Sequence, residues 1–423
     1  MRVCFISRRF FPAISGMSVY AANLLRELVA GGHDVVMISQ YRDDPAGSAV
    51  YGGGPPPAVP GVKVIGLASL GEQEVGHGRP ADFEADIEAM VGAALAEHEA
   101  NPFDLVHAQY GYPCGLAALE VSRRLGIPNV VSIQGGDGHW VGTCCATHKQ
   151  AMLAVLNHAG ALIIGSKSFA EEVRDHHGTS LDRFVIVPGA TDTERFHPRA
   201  DRDIAALGAE PTLLYHGRVD RRKGVMELID AFNQLRVTWP DLRLIVSGIG
   251  PDVAAVRERV AELALGDAVE MTGHADYFAA AEVYRRGDIF VSPTYSEGFS
   301  NTILEAMSSG LPIVSTNAVG VVDCLTDGSN ALLVEPRDVE GLAAAIARML
   351  DDEALRRRLA HQALEEVRSL YSWHAIGRRI QEIYGEVAGT RPDTGWTGLY
   401  DPAEVTCGTA DPSCRFRSAP HLL

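Results

Sequence analysis

Residues 212–236 read TLLYHGRVDRRKGVMELIDAFNQLR and contain one complete strand, loop and helix. Residues 212–216 form a short, largely apolar run that ends at a glycine, a pattern that predicts a buried strand. Residues 226–236 repeat apolar side chains at helical spacing, which predicts an amphipathic helix. A buried strand followed by such a helix is the repeating unit of a parallel sheet that helices cover on both faces.

The same alternation extends in both directions along the chain. Further strands are predicted at residues 3–6, 35–39, 62–65, 104–108, 129–133, 161–164, 184–187, 242–247, 268–271, 289–292, 313–315 and 331–334. Helices are predicted between them, for example at residues 18–30, 83–98 and 302–309. Because the pattern restarts after a polar stretch at 192–211, which is taken as a linker, we predict an α/β protein with two Rossmann-like domains that face each other across a cleft.

The boundaries that follow from this pattern are an N-terminal domain at 1–195 and a C-terminal domain at 196–372. Two segments rich in glycine and proline are predicted to lie outside these elements. One is a surface loop at 41–60, and the other is an extended or disordered tail at 389–423.

Composition and charge restrict the classes of function. The chain has 423 residues, enough for two or three domains, and no apolar run reaches the ~20 residues of a membrane helix. The N-terminus lacks the pattern of a signal peptide, so a cytoplasmic protein is expected. A monomer or a homodimer is expected as the oligomeric state. A net charge of −17 disfavours nucleic acid and anionic membranes as partners. The seven cysteines form no CxxC pair, so no zinc site is predicted.

A basic loop, GRVDRRKG at residues 217–224, follows the strand at 212–216. Ligands of open α/β sheets bind beyond the carboxyl ends of the strands, and this loop also precedes a helix. Arginine can hold two phosphate oxygens and lysine supplies a point charge, so Arg218 and Lys223 are predicted to bind a diphosphate. Arg221 and Arg222 are the candidates for solvent-facing positions.

A second candidate segment, EGFSNTILEA, begins at Glu297, after the strand at 289–292. Ser300 is a good residue for a helix N-cap, and the free N–H groups of the helix start form an anion site. Glu305 lies in the second turn, where its carboxylate can accept hydrogen bonds from both hydroxyls of a ribose. Glu297 is predicted to face the sugar or the reaction centre.

Weaker signals follow four other strands. Gly16 precedes a helix, and Gly248 lies in SGIG at residues 247–250, where the missing third glycine argues against a dinucleotide fingerprint. His107 ends one strand of the first half. QGGDGH at residues 134–139 follows another and supplies Gln134, Asp137 and His139. These side chains are expected to line the opposite wall of the cleft.

Together these residues resemble the retaining glycosyltransferases of family four, which have the two-domain GT-B fold. The resemblance runs from residue 1 to about residue 388. Its most specific part is the pair Glu297 and Glu305, within SEGF and LEAM. Supporting matches are GRV with KG at 217–224, VPGA at 187–190, FHP at 196–198 and GLP at 310–312. YSW at 371–373 resembles the start of the family's last helix, expected at 373–388, which crosses back to the N-terminal domain.

The resemblance implies that the N-terminal domain binds the acceptor and the C-terminal domain binds a nucleotide-diphosphate sugar. Arg218, Lys223 and Glu297 would be the catalytic residues, and Glu305 would bind the ribose. Backbone groups around Phe299, Ser300, Asn301 and Thr302 would complete the donor site, which the backbones of Gly16 and Gly248 would also approach. It also implies transfer with retention and without a dedicated metal ion; the one Asp-x-Asp considered, at residues 201–203, lies in the predicted linker.

The chain departs from the family pattern on the acceptor side. The family often has histidine where this chain has Gln134, and a second histidine where it has Gln109. Glutamine cannot shuttle a proton at neutral pH. Either Gln134 acts by hydrogen bonding or His139 compensates, so the acceptor-side set is His107, Gln134, Asp137 and His139.

The function predicted from these observations is transfer of a hexose or N-acetylhexosamine to a small hydroxyl acceptor. UDP-GlcNAc is the first candidate donor, and an aminocyclitol of antibiotic-type biosynthesis is the candidate acceptor. No cofactor is expected beside the nucleotide sugar, which is a co-substrate. The alternatives are a nucleotide-sugar epimerase of similar fold, a glycosyltransferase acting on lipid or polysaccharide, and a non-catalytic nucleotide-sugar binding protein.

Overall fold

The computed structural model describes residues 1–8, 10, 16–41, 58–69, 83–139, 141–143, 146–201, 203–274 and 279–398. These residues form two compact units. The first contains the described residues up to Pro188 and those from Ile376 onward, and the second is Gly189–Ala375. The division therefore lies at 188/189 and 375/376, whereas the sequence pattern placed it at 195/196 and 372/373.

The first unit is built on a seven-stranded sheet with the order β3-β2-β1-β4-β5-β6-β7, in which all neighbouring strands are parallel. Its strands are β1 Arg2–Ser7, β2 Asp34–Tyr41, β3 Val62–Ala68, β4 Leu105–Gln109, β5 Asn129–Ile133, β6 Ala161–Ile164 and β7 Phe184–Ile186. Strands β4 and β5 are buried along their whole length. Continuous burial explains their apolar runs, because helices cover both faces of a parallel sheet.

The helices of the first unit lie between these strands. They are α1 Gly16–Ala30, α2 Phe83–Ala100, α3 Leu116–Leu125, α4 Gly136–His139, α5 Ala146–His158 and α6 Lys167–His177. Helix α6 shows how the local sequence sets the ends of an element. The Ser166 hydroxyl accepts the N–H of Phe169 at 3.1 Å as an N-cap, and Gly178 ends the helix with φ of 77°.

The second unit repeats the architecture with a six-stranded parallel sheet of order β10-β9-β8-β11-β12-β13. Its elements are β8 Thr212–His216, α7 Val225–Leu235, β9 Arg243–Ser247, α8 Val253–Glu262, β10 Val269–Gly273, α9 Ala280–Arg286, β11 Ile289–Ser292, α10 Asn301–Ser308, β12 Ile313–Thr316, β13 Leu332–Val334, α11 Val339–Asp351 and α12 Glu353–Leu370. Each strand expected from the sequence is present in one of the two sheets, so the α/β prediction is confirmed.

Strand β8 shows why the second sheet needs helices on both sides. Leu213 packs into one buried apolar cluster together with Phe232 of α7. Leu214, its neighbour in the chain, packs into a separate cluster together with Met307 of α10. Successive side chains of a strand point to opposite faces, so an uninterrupted apolar strand supplies both cores.

The interpretation of residues 192–211 as a linker is wrong. Phe196 is buried and meets the Tyr284 ring edge to face at 5.5 Å between centroids. The Ser308 hydroxyl donates to the Phe196 carbonyl, and the buried Arg356 donates through Nε to the Ala205 carbonyl at 3.2 Å. These contacts make the segment part of the second unit, and its polar composition concealed the single aromatic anchor.

The last helix, α13 Trp373–Val387, returns the chain to the first unit, to which residues from Ile376 belong. Beyond it, Asp393 Oδ2 lies 2.8 Å from His158 Nδ1, and Trp396 is buried. These contacts hold the start of the predicted tail against the first unit. The rest of the tail, from residue 399, and residues 42–57 of the predicted surface loop lie outside the described residues. None of the described helices is long and apolar enough to cross a membrane.

Candidate functional site

The loops that follow β8, β9 and β11 touch one another at the carboxyl edge of the second sheet. Gly224 has φ of 69°, and a Cβ there would lie 1.9 Å from the Pro293 carbonyl oxygen. Gly248 has φ of 142°, and a Cβ there would lie 1.8 Å from the Gly217 carbonyl oxygen. Only glycine permits such close approach in this backbone conformation. The glycines at both positions therefore allow the three loops to form one continuous surface.

Lys223 and Glu297 meet on this surface. The lysine Nζ lies 2.7 Å from Glu297 Oε1 and 3.3 Å from the Ser296 carbonyl oxygen. The Glu297 backbone is held in turn, because its N–H donates to the Val319 carbonyl at 2.9 Å. Both side chains are about a quarter exposed, so the pair can open toward a ligand. A cation and a carboxylate of two different loops thus lie together at the carboxyl edge of the second sheet.

Arg218, from the same loop as Lys223, is paired with Asp220. Its Nε lies 3.6 Å from Asp220 Oδ2, and the same carboxylate receives two hydrogen bonds from the Arg222 guanidinium, at 3.0 and 2.6 Å. Burial alone would raise the pKa of Asp220, but the hydrogen bonds from Arg222 and the charges of both arginines lower it to about 2. Asp220 is therefore ionised at neutral pH. Arg222, expected in solvent, instead helps to hold this carboxylate.

The segment 298–302 leads into helix α10. Ser300 occupies the N-cap position, but its side chain makes no cap hydrogen bond; its Oγ lies 3.2 Å from Thr302 Oγ1. The Phe299 ring packs on Tyr371, with 5.7 Å between centroids, and the buried Asn301 Oδ1 has no hydrogen-bond partner in the part of the chain that the structure describes. The first N–H groups of a helix have no partner within the helix, so this end offers donors to an anion.

Glu305 lies one turn further along α10 and is almost fully buried. Its Oε2 accepts the hydroxyl of Tyr284 at 2.6 Å. Burial raises the pKa of Glu305 to about 7, although the Tyr284 hydrogen bond and the charge of Arg195 act in the opposite direction. In the unfolded chain the pKa of this carboxyl is near 4.5, so between pH 4.5 and 7 the unfolded state releases the proton while the folded state keeps it. The free energy of unfolding therefore falls by about 3 kcal/mol in total as pH rises through this range. Such a cost is typical of a group retained for function.

Three residues of this region were not selected from the sequence. His216 ends β8 with its Nδ1 3.0 Å from Ser247 Oγ, and its ring meets Tyr284 edge to face at 5.2 Å. Burial lowers the pKa of His216 to about 4, so it is neutral at pH 7. Its position at a strand end was a signal that could have identified it. Tyr284 and Asp220 gave no such signal, because their roles depend on partners brought by folding.

The predicted acceptor-side residues all lie in the first unit, where Gly16 is also found as the first residue of α1. Asp137 closes the loop after β5, where its carboxylate accepts the N–H groups of Gly111 at 2.7 Å, Gly135 at 2.8 Å and Gln134 at 3.1 Å. Burial raises the pKa of Asp137 to about 6 in spite of these bonds. Asp137 thus shapes the loop that carries Gln134.

His107 lies inside the first unit. Its Nδ1 is 2.6 Å from the Tyr384 hydroxyl of α13, its Nε2 is 2.8 Å from Ser132 Oγ, and the residue has no exposed surface. Burial lowers the pKa of His107 to about 3, so the ring is neutral. With both nitrogens engaged and no open face, this geometry gives no support to its prediction as an acceptor-side residue and indicates a packing role.

His139 is engaged as well. Its Nδ1 lies 2.9 Å from Glu172 Oε1, and its ring packs on Phe169 with 4.5 Å between centroids. Gln134, in contrast, is half-buried at the carboxyl edge of the sheet and is hydrogen-bonded to Gln109. Of the two explanations that the sequence left open, this geometry supports hydrogen bonding by Gln134.

Among the described residues, no group of three or more histidine, cysteine, aspartate and glutamate side chains is placed to hold a metal ion. The carboxylates of the Asp-x-Asp segment have other partners. Asp201 Oδ1 lies 3.6 Å from Arg199 Nε, and Asp203 Oδ2 lies 3.2 Å from Arg357 Nη2.

This chain is similar to known glycosyltransferases in both sequence and structure. The family described as glycosyl transferase 4-like domain matches residues 15–190, and that described as glycosyl transferases group 1 matches residues 198–366. The glycogen synthase of Mycobacterium tuberculosis is 28% identical over 91% of this chain and 94% of its own. The D-inositol 3-phosphate glycosyltransferase of Arthrobacter sp. is 26% identical over 90% and 94%. The sucrose-phosphate synthase structure from Thermosynechococcus elongatus has a TM-score of 0.75 and 26% identity, covering 91% and 98%.

Proposed function

Because this chain belongs to the family-four glycosyltransferases and has their GT-B fold, we propose that it transfers a hexosyl or N-acetylhexosaminyl group, with retention of configuration, from a nucleotide-diphosphate sugar to a small hydroxyl acceptor. The observation that carries the proposal is the contact between Lys223 and Glu297. It brings a cation and a carboxylate from different loops together at the carboxyl edge of a parallel sheet, where ligands of this architecture bind, and so supports the assignment of Lys223 to the diphosphate and of Glu297 to the sugar.

Charge stabilisation is the main contribution expected from these residues. As the bond between the sugar and the diphosphate breaks, negative charge grows on the leaving group, and Lys223 and Arg218 stabilise it. Asp220 already holds the arginine in place, so little reorganisation is needed at the moment of reaction. The acceptor hydroxyl attacks on the face that the diphosphate leaves and gives up its proton to the departing phosphate oxygen. No dedicated base and no metal ion are needed in this scheme.

The nucleoside is held by the second turn of α10. Glu305 accepts the two ribose hydroxyls, and the N–H groups at the start of the helix bind phosphate oxygens. The Glu305 carboxylate is buried away from water, and the ribose hydroxyls supply hydrogen bonds that water cannot provide there. Binding of the ribose is favourable for this reason. UDP-GlcNAc remains the first candidate donor.

The acceptor proposal has support from the relatives. An enzyme acting on D-inositol 3-phosphate uses a cyclitol, the same class of molecule as the aminocyclitol proposed here. A polysaccharide acceptor is the second candidate, because a relative named glycogen synthase matches this chain over nearly its whole length. A small acceptor in antibiotic-type biosynthesis is the first choice.

A matrix of donors and acceptors tests this function. The purified protein is incubated with UDP-GlcNAc, UDP-glucose or GDP-mannose, each with an aminocyclitol, D-inositol 3-phosphate, glycogen or no acceptor, and products are resolved by mass spectrometry and NMR. We expect an axial glycoside of a cyclitol and release of the nucleoside diphosphate. Conversion of the nucleotide sugar without acceptor would indicate the epimerase, and elongation of glycogen alone would indicate the polysaccharide enzyme.

Substitution of Tyr284 by phenylalanine should shift the pH dependence of donor binding. Loss of the hydroxyl removes a hydrogen bond that stabilises the Glu305 carboxylate, so the pKa of Glu305, already about 7, rises further. At pH 7 fewer molecules carry the ionised form, and the KM for the donor should rise about ten-fold. The difference from wild type should shrink as pH increases. Initial-rate measurements from about pH 6 to about pH 9 would show it.

Tyr384→Phe is the matched control for the Tyr284 variant. It also deletes a buried, hydrogen-bonded tyrosine hydroxyl, which lies against His107 in the first unit. It should lower the thermal unfolding midpoint without changing the pH profile of the donor KM. An unchanged profile in Tyr284→Phe would contradict the assignment of Glu305 to the ribose.

A further inference from the structure

We propose that Gln109 is a positioning residue that holds the Gln134 side chain with its amide nitrogen facing the substrate, so that Gln134 donates hydrogen bonds to a substrate hydroxyl oxygen. This inference rests on the proposed transferase function. It concerns four residues at the carboxyl edge of the first sheet: Ser7 at the end of β1, Met17 in the first turn of α1, Gln109 at the end of β4, and Gln134 after β5.

The orientation of the Gln109 amide is determined at one end by the backbone. One of its terminal atoms lies 2.8 Å from the Met17 carbonyl oxygen, which can only accept a hydrogen bond. That terminal atom must therefore be the nitrogen, Nε2. The other terminal atom, Oε1, accepts the hydroxyl of Ser7 at 2.9 Å. Because Gln109 and Ser7 are fully buried, water cannot substitute for either partner.

The same nitrogen then determines the orientation of Gln134. An amide nitrogen carries two hydrogens, and the second hydrogen of Gln109 Nε2 points to a terminal atom of Gln134 at 2.7 Å. That atom must be the oxygen, since two facing N–H groups would repel. The Gln134 nitrogen therefore lies on the other side, and it has no hydrogen-bond partner among the residues that the structure describes.

The surroundings leave Gln134 little freedom to reverse. Its backbone N–H donates to Asp137, which also accepts the Gly135 N–H at 2.8 Å, so the loop is fixed as well as the side chain. The free end of the Gln134 side chain can therefore only donate hydrogen bonds to a ligand. A histidine at this position could donate or accept according to its tautomer, whereas the network anchored at Met17 allows a ligand oxygen and rejects a ligand N–H.

Replacement of either glutamine by glutamate, which has the same shape, should change position 134 from a hydrogen-bond donor to an acceptor. A glutamate at position 109 cannot donate to Met17 and Gln134 together, because an ionised carboxylate donates to neither and a protonated one has a single O–H, which the Met17 carbonyl oxygen accepts. In Gln109→Glu the Gln134 amide should therefore turn over, donate to the new carboxyl oxygen and present its own oxygen to the substrate. Gln134→Glu keeps the acceptor for Gln109 and also presents an oxygen. Each variant should raise the KM for one substrate about ten-fold with little change in kcat. KM is measured separately for donor and acceptor, which shows whether the hydroxyl belongs to the transferred sugar or to the acceptor.

A double-mutant cycle separates positioning from packing. In a Gln134→Ala background, Gln109→Glu should change KM by less than about two-fold, because Gln109 acts through a side chain that is no longer present. A residue that only packs would impair the enzyme equally in both backgrounds. Gln234→Glu, on an exposed position of α7, is the matched control for the chemical change and should behave as wild type.

NMR provides a readout that does not depend on activity. In the wild type the side-chain NH₂ of Gln109 should exchange slowly with solvent and that of Gln134 rapidly, and in Gln109→Glu the Gln134 group should become protected. Rapid exchange at Gln109 in the wild type would overturn the network. An active wild type whose Gln134→Glu and Gln134→Ala variants keep both KM values would overturn this inference alone. Absence of sugar transfer by the wild type would instead overturn the proposed function.

Discussion

Replacement of Lys223 by alanine should lower kcat at least about 100-fold, and replacement of Arg218 should have a similar effect. In the proposed function both cations stabilise the charge that grows on the leaving diphosphate, and stabilisation that acts mainly in the transition state is lost from kcat rather than from KM. Asp220 stays ionised and keeps Arg218 in position, so little rearrangement could compensate for loss of the lysine. Steady-state rates with saturating donor and acceptor measure the effect.

Two further variants make this prediction specific. Arg221→Ala removes an exposed arginine of the same loop that pairs with Asp252, and it should keep turnover within about two-fold of wild type because such surface pairs contribute little. Lys223→Ala also leaves Glu297 without its partner. The double variant Lys223→Ala/Glu297→Gln is therefore compared with Glu297→Gln alone, in which no carboxylate is left unpaired, and replacement of the lysine should lower kcat at least about 100-fold in this background as well. Wild-type turnover in both Arg218→Ala and Lys223→Ala would exclude this assignment.

Replacement of Gly224 by alanine should destabilise the second unit by about 3 kcal/mol or more and abolish most activity. Two costs combine at this position. The left-handed backbone, with φ of 69°, disfavours any side chain, and the new Cβ would lie 1.9 Å from the Pro293 carbonyl oxygen. Because Lys223 is the preceding residue, the backbone shift that relieves this overlap also moves the lysine away from Glu297.

Gly328→Ala separates the two costs. Gly328 has almost the same φ, 68°, but nothing lies within 4 Å of the position that a Cβ would take. This variant should lose only about 1 kcal/mol and keep wild-type kcat. Thermal unfolding midpoints of both variants, measured side by side, give the comparison. Equal midpoints would show that the close contact between the loops after β8 and β11 is not required.

The sequence was most informative where function and local structure use the same residues. The glycines and cations of residues 217–224 identified a loop at a strand end, and the structure places Lys223 of that loop against Glu297. The pattern was less informative for residues 192–211, whose single buried aromatic, Phe196, looks like any other residue in a polar stretch. Burial of one side chain is a tertiary property and leaves no periodic signal.

Histidines illustrate the same limit on the acceptor side. His107 and His139 were selected because they follow strands, but the structure engages one with Tyr384 and Ser132 and the other with Glu172. Tyr384 is far along the chain from His107, and no local sequence pattern indicates that these two side chains meet. The amide nitrogen of Gln134, which departs from the family pattern, has instead no hydrogen-bond partner among the residues that the structure describes.

By itself, the sequence determined the two-sheet α/β architecture, the family and the candidate donor residues. These depend on apolar periodicity, glycine placement and charge, all of which are local along the chain. Only the tertiary structure decided which charged side chains meet and which way the Gln134 amide faces. It also showed that Glu305 is buried against Tyr284, which raises the pKa of its carboxyl. Those features depend on distances between residues that are remote in sequence, because hydrogen-bond polarity and desolvation are set by whichever groups the fold brings into contact.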